Sequence, residues 1–359
     1  MPNKARASRP KGLVMIAALV AGGWAVLLFA YTSFQDDVNN QPIPTRWAND
    51  QITWFLNPNG STNVNTTGGV TVAAALGNAI NVWAQTQFNS QTLNSLAITA
   101  GGNNTSASAP NISDCLNIVG FSDTTPGDFP SGTIAFTQVA TVTNNGATNF
   151  PLGPPTCPSG SPVASQICPT ESCLIDGDME FNPADTFSTA TPTPTNDFDL
   201  QSVASHEFGH MLGMDHSGIA HAMMFPFGDV GQGQQRALAT DDVMGIAFLY
   251  PSSIFSTATG SVSGTVTLGG TGAFAAHVVI VDAITGNVVV DGLTNPDGTY
   301  TIQGVPQGTY NVLVLPLAAN TNSGIYTISD FSGWVCGYTT STACTGFPTN
   351  PTNYTGRFF

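Results

Sequence analysis

Residues 206–216 read HEFGHMLGMDH, three histidines and a glutamate within eleven positions. On a helix, His206 and His210 stand about one turn apart and share a face. Two neutral imidazoles at that spacing form a clamp for one zinc ion. His216 lies too far along for the same straight helix. Gly213 supplies the break, because glycine takes the left-handed backbone conformation that turns a chain back after a helix. Three protein ligands leave a fourth position for water, the mark of a catalytic zinc site. Glu207, beside the first ligand, is placed to accept a proton from that water and return it to a leaving amine. A bare HExxH also occurs in ordinary amphipathic helices. The glycine and third histidine in register make that reading the weaker one, and only His221 and His277 lie outside the motif.

HExxHxxGxxH is the signature of the metzincin metalloproteases, and the flanking residues resemble the matrixin branch. AHAMMFPF (220–227) is similar to the matrixin Met-turn. That likeness implies Met224 as the methionine beneath the metal, with Phe225 and Pro226 opening the wall of the pocket for the residue after the cut bond. Ser217 after the third ligand is also matrixin-like. LATDDVMGIAFLYP (238–251) resembles the closing matrixin helix, RWANDQITWFL (46–56) the opening strand, and VTVAAALGNAINVWAQ (70–85) the first long helix. GTIAFT (132–137) resembles the edge strand beside which matrixins lay extended substrate, which makes Thr133, Ile134 and Ala135 substrate-contact candidates. The resemblance covers about residues 45–251.

Three departures limit it. Matrixins carry a second, structural zinc held by histidines and an aspartate; Phe136 stands where one such histidine would be, and LIDGDMEFN (174–182) has none. One catalytic Zn2+ is therefore expected. The cluster Asp176, Asp178 and Glu180 offers hard oxygens to Ca2+, although a solvated strand end is the preferred reading. Neither a matrixin-sized propeptide nor a cysteine switch is read in these residues, so latency by a thiolate on the zinc is not expected. The paired Asp241 and Asp242 match residues that in matrixins brace the Met-turn or bind the mature N-terminal ammonium, and both roles stay open.

Of the seven basic residues, Lys4, Arg6, Arg9 and Lys11 precede position 12, and the uncharged run Leu13–Tyr31 follows at once. This is an export signal, either a signal anchor or a cleaved signal peptide. Beyond residue 35, three basic residues face 22 acidic ones. That balance argues against nucleic acid or an anionic membrane surface as partner. An uncharged surface rich in Asn, Thr, Ser and Gly suits an exported bacterial protein. Six cysteines in an exported chain point to disulfides: Cys115 with one of Cys157, Cys168 and Cys173, and Cys336 with Cys344. Asp199 is placed to cap the zinc helix.

PSSIFSTATG (251–260) reads as a polar connector. After it SVSGTVTL, AAHVVIVDA, NVVVDGLT, GTYTIQGV and GTYNVLVLPL alternate as strands between turn signals, which argues a β-sandwich. Residues 260–317 resemble the carboxypeptidase regulatory-like (prealbumin-like) module, and His277 within them reads as a strand residue.

The expected class is thus α+β: a metzincin catalytic domain with a twisted mixed sheet and long helices, then a small all-β sandwich. The expected division is 1–35 export segment, 36–251 protease, 252–259 linker, 260–317 sandwich and 318–359 extension. The function read from it is an exported, monomeric zinc metalloendopeptidase acting on extracytoplasmic polypeptides, secreted or held at the membrane by its N-terminal segment. Alternatives are a surface binding or adhesion protein using the metzincin fold as scaffold, and a zinc hydrolase of small molecules, which the Met-turn and edge strand disfavour.

Overall fold

A computed structural model describes residues 32–358 except 40, 85, 106–110, 122–128, 130–131, 145–146, 153–156, 234, 318–326 and 340–345. The apolar run Leu13–Tyr31, the loop 122–128 and Cys344 lie outside the described residues. No helix among the described residues is long and apolar enough to cross a membrane.

The first half is built on one sheet: β1 (Gln51–Leu56), β2 (Ala97–Asn103), β3 (Asn117–Gly120), β4 (Ala135–Thr143) and β5 (Ser172–Phe181). Its order is β4-β5-β3-β1-β2, with Arg46–Trp47 added beside β5. All these pairings are parallel except the edge strand β4, which runs antiparallel to β5. In β1 the buried residues are Ile52, Trp54 and Leu56, the period-2 pattern of a strand with one face on a core. By contrast β5 is buried at all ten positions, as an interior strand covered on both faces must be.

Helix α1 (Val72–Asn81) is capped by the Thr71 hydroxyl, which accepts from Ala74 N at 3.2 Å. It buries Ala75, Leu76, Ala79 and Ile80 on one face, the stripe expected of an amphipathic helix, and packs against α2 (Leu200–Met211). Asp199 caps α2, its carboxylate accepting from Ser202 N at 2.8 Å. At the other end two side chains meet the helix's free carbonyls, Trp47 Nε1 on Met211 and Tyr250 OH on Leu212, at 2.8 and 2.7 Å, while Trp83 Nε1 donates to Ser205 O in mid-helix at 2.9 Å. Gly213, at φ +94°, reverses the chain, and a Cβ there would come within 2.7 Å of Thr45 O. The final helix of this half is α3 (Thr240–Leu249).

After α3 come β6 (Thr259–Thr265), β7 (His277–Asp282), β8 (Val288–Leu293), β9 (Thr299–Pro306) and β10 (Tyr310–Leu315). They pair as β6 with β9, and as β8-β7-β10 with Arg357–Phe358 added at the edge, all antiparallel. Val278, Ile280, Val290, Ile302 and Val314 fill one apolar core that also contains Val243, Met244 and Ala247 of α3. The stretch 252–259 is therefore more than a linker. It forms the one-turn helix Phe255–Ala258, with Phe255 buried in the same core.

Cys115 is bonded to Cys157, and Cys168 to Cys173. Cys336 is disulfide-bonded as well, and its expected partner Cys344 is outside the described residues.

Candidate active site

Helix α2 presents His206 and His210 one turn apart, and the loop after Gly213 brings His216 beside them. One potential ligand atom from each ring lies within 4.8 Å of the others. Each Nδ1 faces a backbone carbonyl: His206 that of Met223 at 2.8 Å, His210 that of Met214 at 2.9 Å, and His216 that of Asp330. A carbonyl can only accept, so every Nδ1 carries the proton and every Nε2 is left as a lone pair. The Nε2 atoms of His206 and His210 point at each other across 3.1 Å. Lone pairs so close repel unless a cation lies between them, so the donor set fits Zn2+. Burial, then the neighbouring His216, pushes the His206 pKa down to about 3, and His210 is lowered for the same reasons. Both rings are neutral, the form that binds metal.

Glu207 is buried beside this triad. Burial raises its pKa to about 7, and the Thr137 hydroxyl, donating to Oε2 at 2.8 Å, opposes that rise. Thr137 Oγ1 also lies 3.1 Å from Glu207 O, so its single proton can serve either the backbone or the side chain of the glutamate. Sequence reading missed this role, although Thr137 closes the quoted stretch GTIAFT.

The loop bearing Met224, read from the sequence as a Met-turn, is fastened from two sides. Met224 is fully buried, and a Cβ on Gly209 would fall 2.2 Å from its Sδ and 2.9 Å from Trp83. Glycine at 209 thus lets the helix and the turn close on one another. Asp242 accepts from Met223 N, Met224 N and Ala239 N at 2.7, 3.1 and 2.8 Å. Asp241 accepts from Ser217 Oγ at 2.7 Å and Asp291 N at 3.0 Å. Between the two roles left open for this pair, Asp242 braces the Met-turn. Asp241 is buried and joined to the C-terminal strands.

A cleft of roughly 340 Å³ runs past the triad. Thr133, Ile134, Ala135 and Thr137, then Val203, Phe225, Pro226 and Phe227, and also Phe34 and Ser332 line it. Only Ala135 of the three edge-strand candidates is in β4. Thr133 and Ile134 precede it, their carbonyls held by Asn182 Nδ2 and Asn182 N at 2.7 and 2.9 Å.

One expectation needs correction. Asp176, Asp178 and Glu180 are not a solvated strand end; none is more than 2% exposed. The Asp178 carboxylate accepts from Ile118 N and Asn111 N at 2.7 and 2.6 Å, and Asp176 Oδ2 accepts from Asp114 N and Cys115 N at 3.1 and 2.6 Å. Both Asp178 oxygens and Asp176 Oδ2 thus serve the chain's own N–H groups. His277 is a strand residue, as expected, but it also bonds Asp291 at 2.5 Å, and Asp291 accepts from Gly218 N at 3.0 Å. Thus the C-terminal strands touch the chain two residues past the third ligand.

Residues 154–251, from before β5 through α3, match the matrixin family model. Over 94 residues the chain is 39% identical to matrix metalloproteinase-25 of Mus musculus, covering 26% of this chain and 15% of that protein. Similar matches are the hatching enzyme of Paracentrotus lividus, 40% identical over 78 residues (22% of this chain, 13% of that protein), and metalloendoproteinase 5-MMP of Arabidopsis thaliana, 40% identical over 84 residues (23% of each). The matched stretches thus span less than a quarter of these relatives' length. Residues 154–251, which include the histidine triad, are thus matrixin-like.

Proposed function

We propose that the protein is an exported zinc metalloendopeptidase that hydrolyses peptide bonds in extended segments of extracytoplasmic proteins. The observation that carries this reading is the convergence of His206, His210 and His216, with three proton-free Nε2 atoms, beside buried Glu207. A zinc ion bound there supplies Lewis-acid polarisation of the scissile carbonyl and acidifies the attacking water. Glu207 takes the proton from that water and hands it to the departing amine. Its raised pKa suits both halves of the transfer. Thr137 holds the carboxylate in place during the exchange. An extended substrate lies antiparallel to the edge at Thr133–Ala135. The side chain after the cut bond faces the wall made by Phe225 and Pro226, above Met224.

Export rests on the basic N-terminal flank ahead of an apolar run and on the disulfides. The strands after residue 259 form a β-sandwich accessory unit that acts as a monomer's internal buttress, since their core continues into α3.

The test is cleavage of a peptide library by wild-type protein and by Glu207→Gln, each with and without a chelator. The wild type should cleave and stop when the metal is stripped. The variant should bind zinc normally and lose about 10²–10⁴-fold in kcat. Cleavage that survives chelation, or a fully active Glu207→Gln, would overturn the proposal.

A further inference from the structure

The first two histidines of the triad are placed by the helix that carries them. The third is not. His216 sits in a loop past Gly213, where no helical hydrogen bonds fix the backbone. We propose that two segments far from the motif in sequence, Thr32–Phe34 and the tail segment Thr327–Val335, together position His216, so that metal retention depends on residues remote from the motif. This inference rests on reading the triad as a metal site.

From the N-terminal side, Ser33 forms an antiparallel bridge with Met214. Phe34 N donates to Gly213 O and Asp215 N to Thr32 O, both at 2.8 Å, and the Thr32 hydroxyl donates to His216 O. The ligand loop is thereby tied to this segment by a single antiparallel bridge. From the C-terminal side, Asp330 O accepts from His216 Nδ1, and Trp334 N donates to Asp215 Oδ2 at 2.6 Å. Asp215 also accepts from His216 N at 2.8 Å, so its carboxylate joins the ligand to the tail.

The two segments also grip each other. The Phe34 ring lies parallel to His210, with centroids 5.6 Å apart, and a Cβ on Gly333 would collide with it at 1.9 Å. The tail is anchored in turn by Trp334. It is buried with Phe274, Leu293 and Phe331, its ring stacked on Phe274 at 5.5 Å.

The contrast in sequence separation is large. The Nδ1 acceptors for His210 and His206 are 4 and 17 residues away, and the acceptor for His216 is 114 away. Hydrogen bonds to the second nitrogen of a ligating imidazole fix its orientation and tautomer. Losing one commonly costs 10- to 100-fold in metal affinity. Undocking the tail removes that bond and loosens Asp215 at the same time.

The experiment measures Zn2+ dissociation constants for the full chain by competition with a chelator of known affinity. It compares wild type, Trp334→Ala, Asp215→Asn and Ile302→Ala. The last perturbs the apolar core of the C-terminal strands away from the tail. Asp215→Asn is isosteric and cannot accept from both Trp334 N and His216 N, so it poses the same question should Trp334→Ala fail to fold. Trp334→Ala and Asp215→Asn should each raise the dissociation constant about 10- to 100-fold. Ile302→Ala should lower the melting temperature and leave zinc affinity unchanged. Zinc affinity at the wild-type level in the first two variants, or equal weakening in Ile302→Ala, would overturn the role of the tail. A wild type that binds no zinc would instead defeat the metal-site reading itself.

Discussion

Two pairs of buried aspartates hold loops in this protein, and they do it differently. Asp241 and Asp242 are adjacent at the start of α3, and Asp176 and Asp178 stand two apart on β5. Neighbouring residues on a helix point in different directions. Accordingly Asp242 reaches the Met-turn, whereas Asp241 reaches Ser217 and the C-terminal strand at Asp291. Residues two apart on a strand share a face, and Asp176 and Asp178 both accept from one segment, 111–118. Spacing thus decides how many segments a carboxylate pair can join. The helical pair unites three parts of the molecule at the active site; the strand pair fastens one disulfide-bearing loop.

The electrostatics differ as well. Burial raises the Asp242 pKa to about 6, and backbone N–H groups from Met223, Ala239 and Met224 oppose the rise. Asp176 is raised to about 8, by burial first and by the charge of Asp178 next, and its Oδ1 has no hydrogen-bond partner among the described residues. Two like charges on one strand face, with one oxygen unserved, make protonation the easier solution.

The largest effect should come from Asp242→Ala. It leaves three backbone N–H groups without their acceptor, two of them at the Met-turn, and should cost about 3 kcal/mol. Because Met223 O orients His206, weakened zinc binding should accompany the loss of stability. Urea unfolding with parallel zinc titration checks both. If stability falls while zinc affinity is untouched, Asp242 does not brace the metal site.

The second effect is smaller and depends on pH. The folded state holds the Asp176 proton to about pH 8 and the unfolded state only to about pH 4. The stability from this group is therefore full below pH 4 and is lost as pH rises toward 8. Asp176→Asn removes the titration. The wild type should lose more stability than the variant between pH 5 and pH 8, by on the order of a few kcal/mol at most. Parallel urea midpoints at the two pH values would contradict the comparison drawn here.

Much of the site was legible in the sequence because it is local. The i, i+4 histidines, the glutamate between them, the Gly213 break and the Asp199 cap all lie within eighteen residues, and backbone geometry alone relates them. The antiparallel edge at GTIAFT and the Met-turn came through resemblance to matrixins. What stayed hidden is nonlocal. Nothing in Thr137 marks it as the partner of Glu207, and nothing in Asp330 or Trp334 marks a link to His216. Those contacts depend on how distant elements stack. The pair Asp176 and Asp178 was misread because charged residues on a strand are ordinarily at the surface. The backbone N–H groups of 111–118 that satisfy them leave no trace in side-chain pattern. The connector 252–259 looked polar, but Phe255 within it is a core residue.

The central claim is that one zinc ion is bound by three imidazoles, and zinc content tests it most directly. Elemental analysis of purified wild-type protein and of His206→Ala, His210→Ala and His216→Ala should find about one zinc per chain in the first and a large loss in each variant. A wild type without zinc, or a variant that keeps a full equivalent, would contradict the account.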